Sequence, residues 1–170
     1  NKPYELNISL FDALQGTHKG PDKHQVERFV CAHAIMLALE GIPGIYIHSL
    51  LGSLNDQQGL QNLGYNRAIN REKLHRQSLD KSLAEPNSRR SQVLSRFKAL
   101  LTVRCGEVAF SPTTSQRVVD VDSRLVTLVR DESLAVVINI SAQQLELDST
   151  KLLAGLNIDL LSGTRVAQLI

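Results

Sequence analysis

The sequence has no tryptophan, and aromatic residues make up only 4% of its 170 positions. Proteins that grip single strands stack bases on aromatic rings along a basic groove. A formal charge of +2 with so few rings supplies neither, and no nucleic-acid partner is expected. Cysteine is scarce too: Cys31 and Cys105 stand far apart and outside any C-x-x-C pattern, which argues against a disulfide framework or thiolate metal site. Cys31 is expected as a reduced thiol on a buried helix face, in keeping with a cytoplasmic setting. Long apolar runs are missing as well. The longest, AIMLAL at residues 34–39, is far short of the ~20 residues that cross a bilayer, and no basic-then-apolar signal pattern opens the chain, so no membrane partner is expected. His18, His24, His33, His48 and His75 form no H-x-x-x-H pair, and neither metal nor cofactor is implied. No G-x-S-x-G elbow is present, and GIPG precedes a strand-like run rather than a helix, which excludes the usual phosphate loop.

What is present is a helical half followed by a strand-rich half. Residues 1–20 read as a loop carrying one helical turn in ISLFDAL, and the chain opens NKPYELN without Met, as a fragment of something longer would. From residue 22 to 39, Val26, Phe29, Val30, His33, Ala34 and Leu37 recur at helical spacing. Asp22 and Gln25 have the spacing of a capping box, Gly41 supplies a stop, and His33 is expected as a hydrogen-bonded core histidine. Ile45-Tyr46-Ile47, behind a Gly-x-Pro-Gly turn, reads as a parallel strand buried on both faces. Ligands of such folds sit beyond the carboxyl ends of the strands, so residues 48–56 are expected to face a site. No second run of this kind occurs. Two short helical candidates lie within residues 49–86. A second long helix covers 87–106, with Val93, Leu94, Phe97, Leu100 and Leu101 on one stripe and Arg89, Arg90, Arg96 and Lys98 on the solvated side.

After Gly106 the period changes to two. Val119 and Val121, then 125–129, 134–140 and 145–147, predict an antiparallel meander with one buried face, its runs separated by DVDS, RDES and ISAQ. DLLSG and VAQLI are candidate edge strands. The composition shift places a domain boundary between 105 and 106.

Among candidate site residues, Glu5, Asp12 and Asp56 are carboxylates on loops at the expected ligand face, each more often a surface acid or a helix cap than a ligand contact. Arg67, in the Asn-rich stretch GYNRAINR, has a planar fork suited to hydroxyls or carboxylates, and structural clamp and ligand contact are equally consistent with it.

Three segments, KPYELNISLFDAL, AHAIMLALEGIPGIYIHSLLGSLND and GYNRAINRE, resemble in this order the loop before helix seven, helix seven with strand eight, and the following loop of the sucrose phosphorylase subfamily of glycoside hydrolase family 13. The Gly-x-Pro-x-x-Tyr strand is widespread in α-amylase-type barrels, whereas the Asn-Asp and Asn-Arg-x-Ile-Asn-Arg elements are particular to the phosphorylases. The resemblance implies α/β plus all-β architecture: the C-terminal part of a (β/α)8 TIM barrel over residues 1–105, then a small antiparallel β-sheet domain over 106–170.

It also implies a retaining transfer of glucose to inorganic phosphate, with a small sugar substrate and phosphate as partners and no cofactor. The nucleophile and acid/base motifs of the family do not occur in this sequence. No catalytic residue is assigned, the isolated chain is expected to be inactive, and an unpaired strand 45–47 is expected to drive self-association or to repack under the two long helices. Tyr4 and Glu5 correspond to a Tyr-Gln pair shaping the family's acceptor and phosphate subsite, and Arg67 to an Arg that reaches the bound glucosyl unit. Glu5 departs from Gln, and Lys2-Pro3 from Asp-Leu, a pattern closer to relatives that phosphorolyse glucosylglycerate or kojibiose. The alternatives are a hydrolase of the same family and a stand-alone β-sheet binding module.

Overall fold

The computed structural model describes residues 6–155 and 158–164. The chain divides into two compact units, one made of Asn1–Val30 with Ile45–Phe97 and the other of Cys31–Gly44 with Lys98–Ile170.

The first unit contains α1 (Leu10–Ala13), a minimal hairpin of β1 (Gly16–Thr17) and β2 (Gly20–Pro21), the start of α2 (Gln25–Ala38), α3 (Ile47–Leu50), α4 (Gln57–Leu63), a 3-10 turn at Asn66–Asn70, α5 (Arg76–Ala84) and the start of α6 (Arg89–Gly106). Its core is Phe11, Phe29, Val93 and Phe97, none more than 2% exposed. The Phe29 ring lies 5.0 Å from Phe11 and 6.3 Å from Phe97 in tilted contacts, the arrangement that ring quadrupoles favour. The helical turn expected in ISLFDAL is α1, with the Ser9 hydroxyl accepting from the Asp12 N–H.

The capping box expected at Asp22 and Gln25 is not formed. Asp22 Oδ1 accepts the His24 N–H and its carboxylate clamps Arg28, while Gln25 Nε2 donates to the Phe11 carbonyl. The glutamine ties helix to loop instead of reaching back to its own cap. The expected parallel strand is also corrected. Residues 42–46 are assigned to no sheet, and at Ile47 the chain turns into α3. Tyr46 and Ile47 are 50% and 53% exposed. An extended segment becomes a strand only when a neighbouring strand takes its N–H and C=O groups; no described strand pairs with this one, and the Tyr46 carbonyl accepts the Leu50 N–H of α3 instead. Ile45 instead packs against the phenylalanine cluster borne by α1, α2 and α6, but with Tyr46 and Ile47 half exposed the run is not covered by the two long helices.

The second unit holds the rest of α2 and α6, a 3-10 turn at Val108–Phe110, β3 (Gln116–Val118), β4 (Leu125–Arg130), β5 (Leu134–Asn139) and a 3-10 turn at Ser149–Lys151. The strands form an antiparallel meander in the order β3-β4-β5, with Gln116 opposite Arg130 and Leu128 opposite Val136. The expected meander is present, with its first strand at 116–118 rather than around Val119 and Val121 and with no strand at 145–147. DLLSG is a turn in which the Gly163 N–H reaches the Asp159 carbonyl, and VAQLI lies outside the described residues.

Nor does the sheet have one simple buried face. Thr127, Leu128, Val129 and Arg130 of the central strand are all buried. Arg130, 0% exposed, donates to the carbonyls of Ala38, Ala109 and Ser111, to Gln116 Oε1 and to Thr114 Oγ1. That set of acceptors is what makes a buried guanidinium tolerable. Arg104 closes the end of α2 by donating to the Leu37 and Gly41 carbonyls, and Gly41 takes φ +95°, a conformation suited to glycine. His33 is buried, as expected. Both cysteines are free. Cys31 is half-buried, which pushes its thiol pKa up, and Cys105 is exposed. No helix among the described residues is long and apolar enough to cross a membrane.

Candidate functional site

A cleft of about 220 Å³ opens in the first unit, and Ser9, Phe11, Tyr46, His48, Ser49, Ser53 and Asn70 are among its lining residues. The sequence LLGS brings Ser53 to its lining. At the end of α3 the Gly52 N–H bonds the Ser49 carbonyl and the Ser53 N–H bonds the His48 carbonyl at 2.8 Å, the paired bonds of a Schellman termination. Gly52 takes φ +56°, and a Cβ there would lie 2.9 Å from the Val93 side chain, so both conformation and space demand glycine. This turn folds Ser53 back onto the helix, bringing its Oγ to 3.0 Å from His48 Nδ1.

Arg90 braces that turn from α6. Its Nη1 donates to Ser53 Oγ at 3.1 Å and to the Leu51 carbonyl at 3.4 Å, and its Nη2 meets Glu72 Oε2 at 2.8 Å. Sequence periodicity puts Arg89 and Arg90 on a solvated face, but Arg90 is buried, and Arg89 stands over the Phe11 ring, 5.5 Å from its centroid, with a buried Nε that has no hydrogen-bond partner. The two arginines begin the helix, where the loop at 51–53 meets Arg90 and the Phe11 ring meets Arg89, so helical spacing alone misplaces them. Burial pushes the Arg89 pKa down, with Arg90 adding to the effect. Burial likewise pushes the His48 imidazole down; the Glu72 charge opposes this and Arg90 reinforces it.

A second bracket ties α1 to the loop after α3 beside the cleft. Asn55 N–H donates to Asp12 Oδ2 at 2.6 Å, while Asn55 Oδ1 accepts the Ser9 N–H at 2.7 Å. Asp56 caps α4 through the Gly59 N–H, and its own N–H reaches the Ile69 carbonyl. Both carboxylates thus do structural work. Among the described residues no carboxylate lines the cleft; imidazole, hydroxyl and amide groups beside a tyrosine ring do. Such a set can donate and accept hydrogen bonds with a hydroxyl-rich molecule, and the described residues supply no nucleophile and acid pair. No cluster of three or more His, Cys, Asp or Glu able to hold a metal occurs among the described residues.

No family model matches the chain. Among curated proteins, glucosylglycerate phosphorylase of Allomeiothermus silvanus is 40% identical over 131 residues, 76% of this chain and 23% of that protein. The Escherichia coli protein of the same name is 37% identical over 131 residues, 77% of this chain and 23% of its own length. The chain is similar to glucosylglycerate phosphorylases. Sucrose phosphorylase of Agrobacterium vitis is 32% identical over 95 residues, covering 56% of this chain and 18% of that protein. The expected resemblance to the sucrose phosphorylase subfamily therefore holds, with glucosylglycerate phosphorylases among the relatives. The chain spans about a quarter of the length of these glucosylglycerate phosphorylases, in their C-terminal part.

Of the residues aligned with the phosphorylase subsites by resemblance, Tyr4 and Glu5 lie outside the described residues. Arg67 lies on the 3-10 turn Asn66–Asn70 with its side chain exposed, beside the buried Ala68 and Ile69, and Asn70 of the same turn accepts from the Tyr46 hydroxyl at 3.3 Å through its carbonyl. Of residues 48–56, the stretch expected to face a site, His48, Ser49, Ser53 and Leu54 line the cleft. Arg90 and Glu72 carry no local signal, whereas the glycine after the apolar run IHSLL could have announced the turn.

Proposed function

We propose that the chain is the C-terminal part of a cytoplasmic α-glucoside phosphorylase of glycoside hydrolase family 13, acting on a glucosylglycerate-type substrate and transferring its glucosyl unit to inorganic phosphate to give α-glucose 1-phosphate. The similarity to three proteins named glucosylglycerate phosphorylase, at 37–40% identity over at least three quarters of the chain, carries this reading. Residues 1–105 then belong to the end of a (β/α)8 barrel and 106–170 to the sheet domain. The reaction is a double displacement: a carboxylate attacks the anomeric carbon, an acid protonates the departing acceptor, and phosphate then takes glucose from the covalent intermediate. Those two groups stand about 5 to 5.5 Å apart in retaining enzymes and come from motifs this sequence does not contain. Tyr4 and Glu5 shape the acceptor and phosphate subsite, and Arg67 contacts the glucosyl unit. The isolated 170 residues are inactive and self-associate, as sedimentation will report.

The test incubates the full-length protein with glucosylglycerate and phosphate. Release of glucose 1-phosphate is expected. Phosphate-independent release of glucose would identify a hydrolase, and no turnover of any α-glucoside would favour a binding module.

A further inference from the structure

His48 sits where three built features meet. Its ring lines the cleft, packs 5.1 Å from the Tyr46 ring in a tilted contact, and has Nδ1 hydrogen-bonded to a serine that is itself buried. That serine is held by Arg90, and Arg90 by Glu72. A guanidinium only donates hydrogen bonds. Ser53 Oγ therefore accepts from Arg90, and a hydroxyl polarised by a cation is a stronger donor.

We propose that His48 is a substrate-contacting residue of this cleft, presenting a neutral imidazole whose Nε2–H donates to a sugar hydroxyl, and that Ser53 and Arg90 are positioning residues that set this tautomer. The inference rests on the sugar-phosphorylase reading. The Ser53 hydroxyl directs its proton to Nδ1, so the ring proton resides on Nε2, the nitrogen left for a ligand. A second ring proton would point at an oxygen already engaged by a guanidinium. The other polar lining groups among the described residues, from Ser9, Tyr46, Ser49 and Asn70, are uncharged and match a neutral, hydroxyl-rich ring. A cleft of about 220 Å³ is below the range that takes drug-sized ligands and suits a single sugar ring.

The full-length protein carrying His48→Ala is expected to raise KM for the α-glucoside roughly three- to tenfold, the size of one neutral hydrogen bond, with kcat little changed, since a contact made equally in ground and transition states moves KM alone. His48→Gln, whose amide N–H can take the place of Nε2–H, should recover most of the loss. In wild type with ¹⁵N-labelled histidine, the His48 ring nitrogens should report the proton on Nε2 and shift when glucose is added. Ser53→Ala should raise KM in the same direction and mix the two tautomers. Unchanged KM in His48→Ala of an active phosphorylase overturns the proposal and leaves the phosphorylase reading standing. Absence of phosphorolysis in wild type overturns that reading, yet a glucose-dependent shift of the His48 nitrogens would still support the sugar contact. Should His48→Ala fail to fold, no shift with glucose in wild type, or an unmoved tautomer in Ser53→Ala, overturns the proposal.

Discussion

The Asp12 carboxylate accepts the backbone N–H of Asn55 at 2.6 Å across 43 positions of sequence. Asn55 returns the tie through its side-chain oxygen, which accepts the Ser9 N–H at 2.7 Å. The short helix α1 and the loop between α3 and α4 are thereby held in one register beside the cleft. Asp12→Ala leaves a part-buried N–H without its partner, and a loss of about 1 to 3 kcal/mol is expected, seen as a lower denaturant midpoint at unchanged m. Asp12→Asn keeps an accepting oxygen and should lose less. Equal stability of wild type and Asp12→Ala would show that water replaces the carboxylate.

Arg130 offers a sharper case because its guanidinium is wholly inside. Arg130→Met keeps most of the volume but removes every bond the guanidinium donates, leaving the Ala109 and Ser111 carbonyls to Thr114 as donor, and a destabilisation of roughly 2 to 4 kcal/mol is expected from the loss of several buried hydrogen bonds. Arg130→Lys, with a single ammonium in place of a fork, should recover only part of it. Thermal unfolding of the three proteins checks the order; a methionine variant as stable as wild type would show that the strand does not depend on this network.

The His48 pKa lies below its usual value because burial disfavours the cation. The unfolded chain then binds a proton that the folded one refuses, in the interval between the depressed folded value and the ordinary imidazole value of about 6.5. Stability from this group is complete above that upper limit and declines as pH falls through the interval. His48→Gln should flatten the acid side of the stability profile there, and denaturant midpoints measured from neutral pH downward will show it. A parallel profile for the variant would assign the acid sensitivity to other groups.

Arg67→Lys in the full-length protein tests the proposed contact with the glucosyl unit. An ammonium cannot reproduce a two-point guanidinium contact, and one hydrogen bond to a charged group contributes about 1.5 to 3 kcal/mol, so turnover is expected to fall roughly ten- to hundredfold. Unchanged kinetics would return this exposed arginine to a structural role on its turn.

Local spacing made much of this chain legible. Two long helices, the one-turn helix in ISLFDAL and a meander after Gly106 all follow from periodicity, because burial of one stripe or one pleat selects the same residues whatever the neighbours are. The resemblance to sugar phosphorylases was equally readable, since it resides in contiguous segments. Spacing could not say that Arg90 is buried while Lys98 of the same helix is exposed. That depends on a loop 37 residues away placing Ser53 over it. Nor could it decide the fate of residues 45–47. An apolar run supplies side chains for a strand, but its backbone needs a partner ladder, and only the assembled fold determines whether one is beside it. The central strand was misread for a related reason: alternation predicts one wet face, yet Thr127 and Arg130 are enclosed because carbonyls from distant segments converge on them. Sequence thus determined the long helices and the core of the meander, whose causes lie within a few residues, whereas the tertiary structure alone decided which extended runs find a ladder and which polar groups are enclosed, because their partners lie outside the local segment.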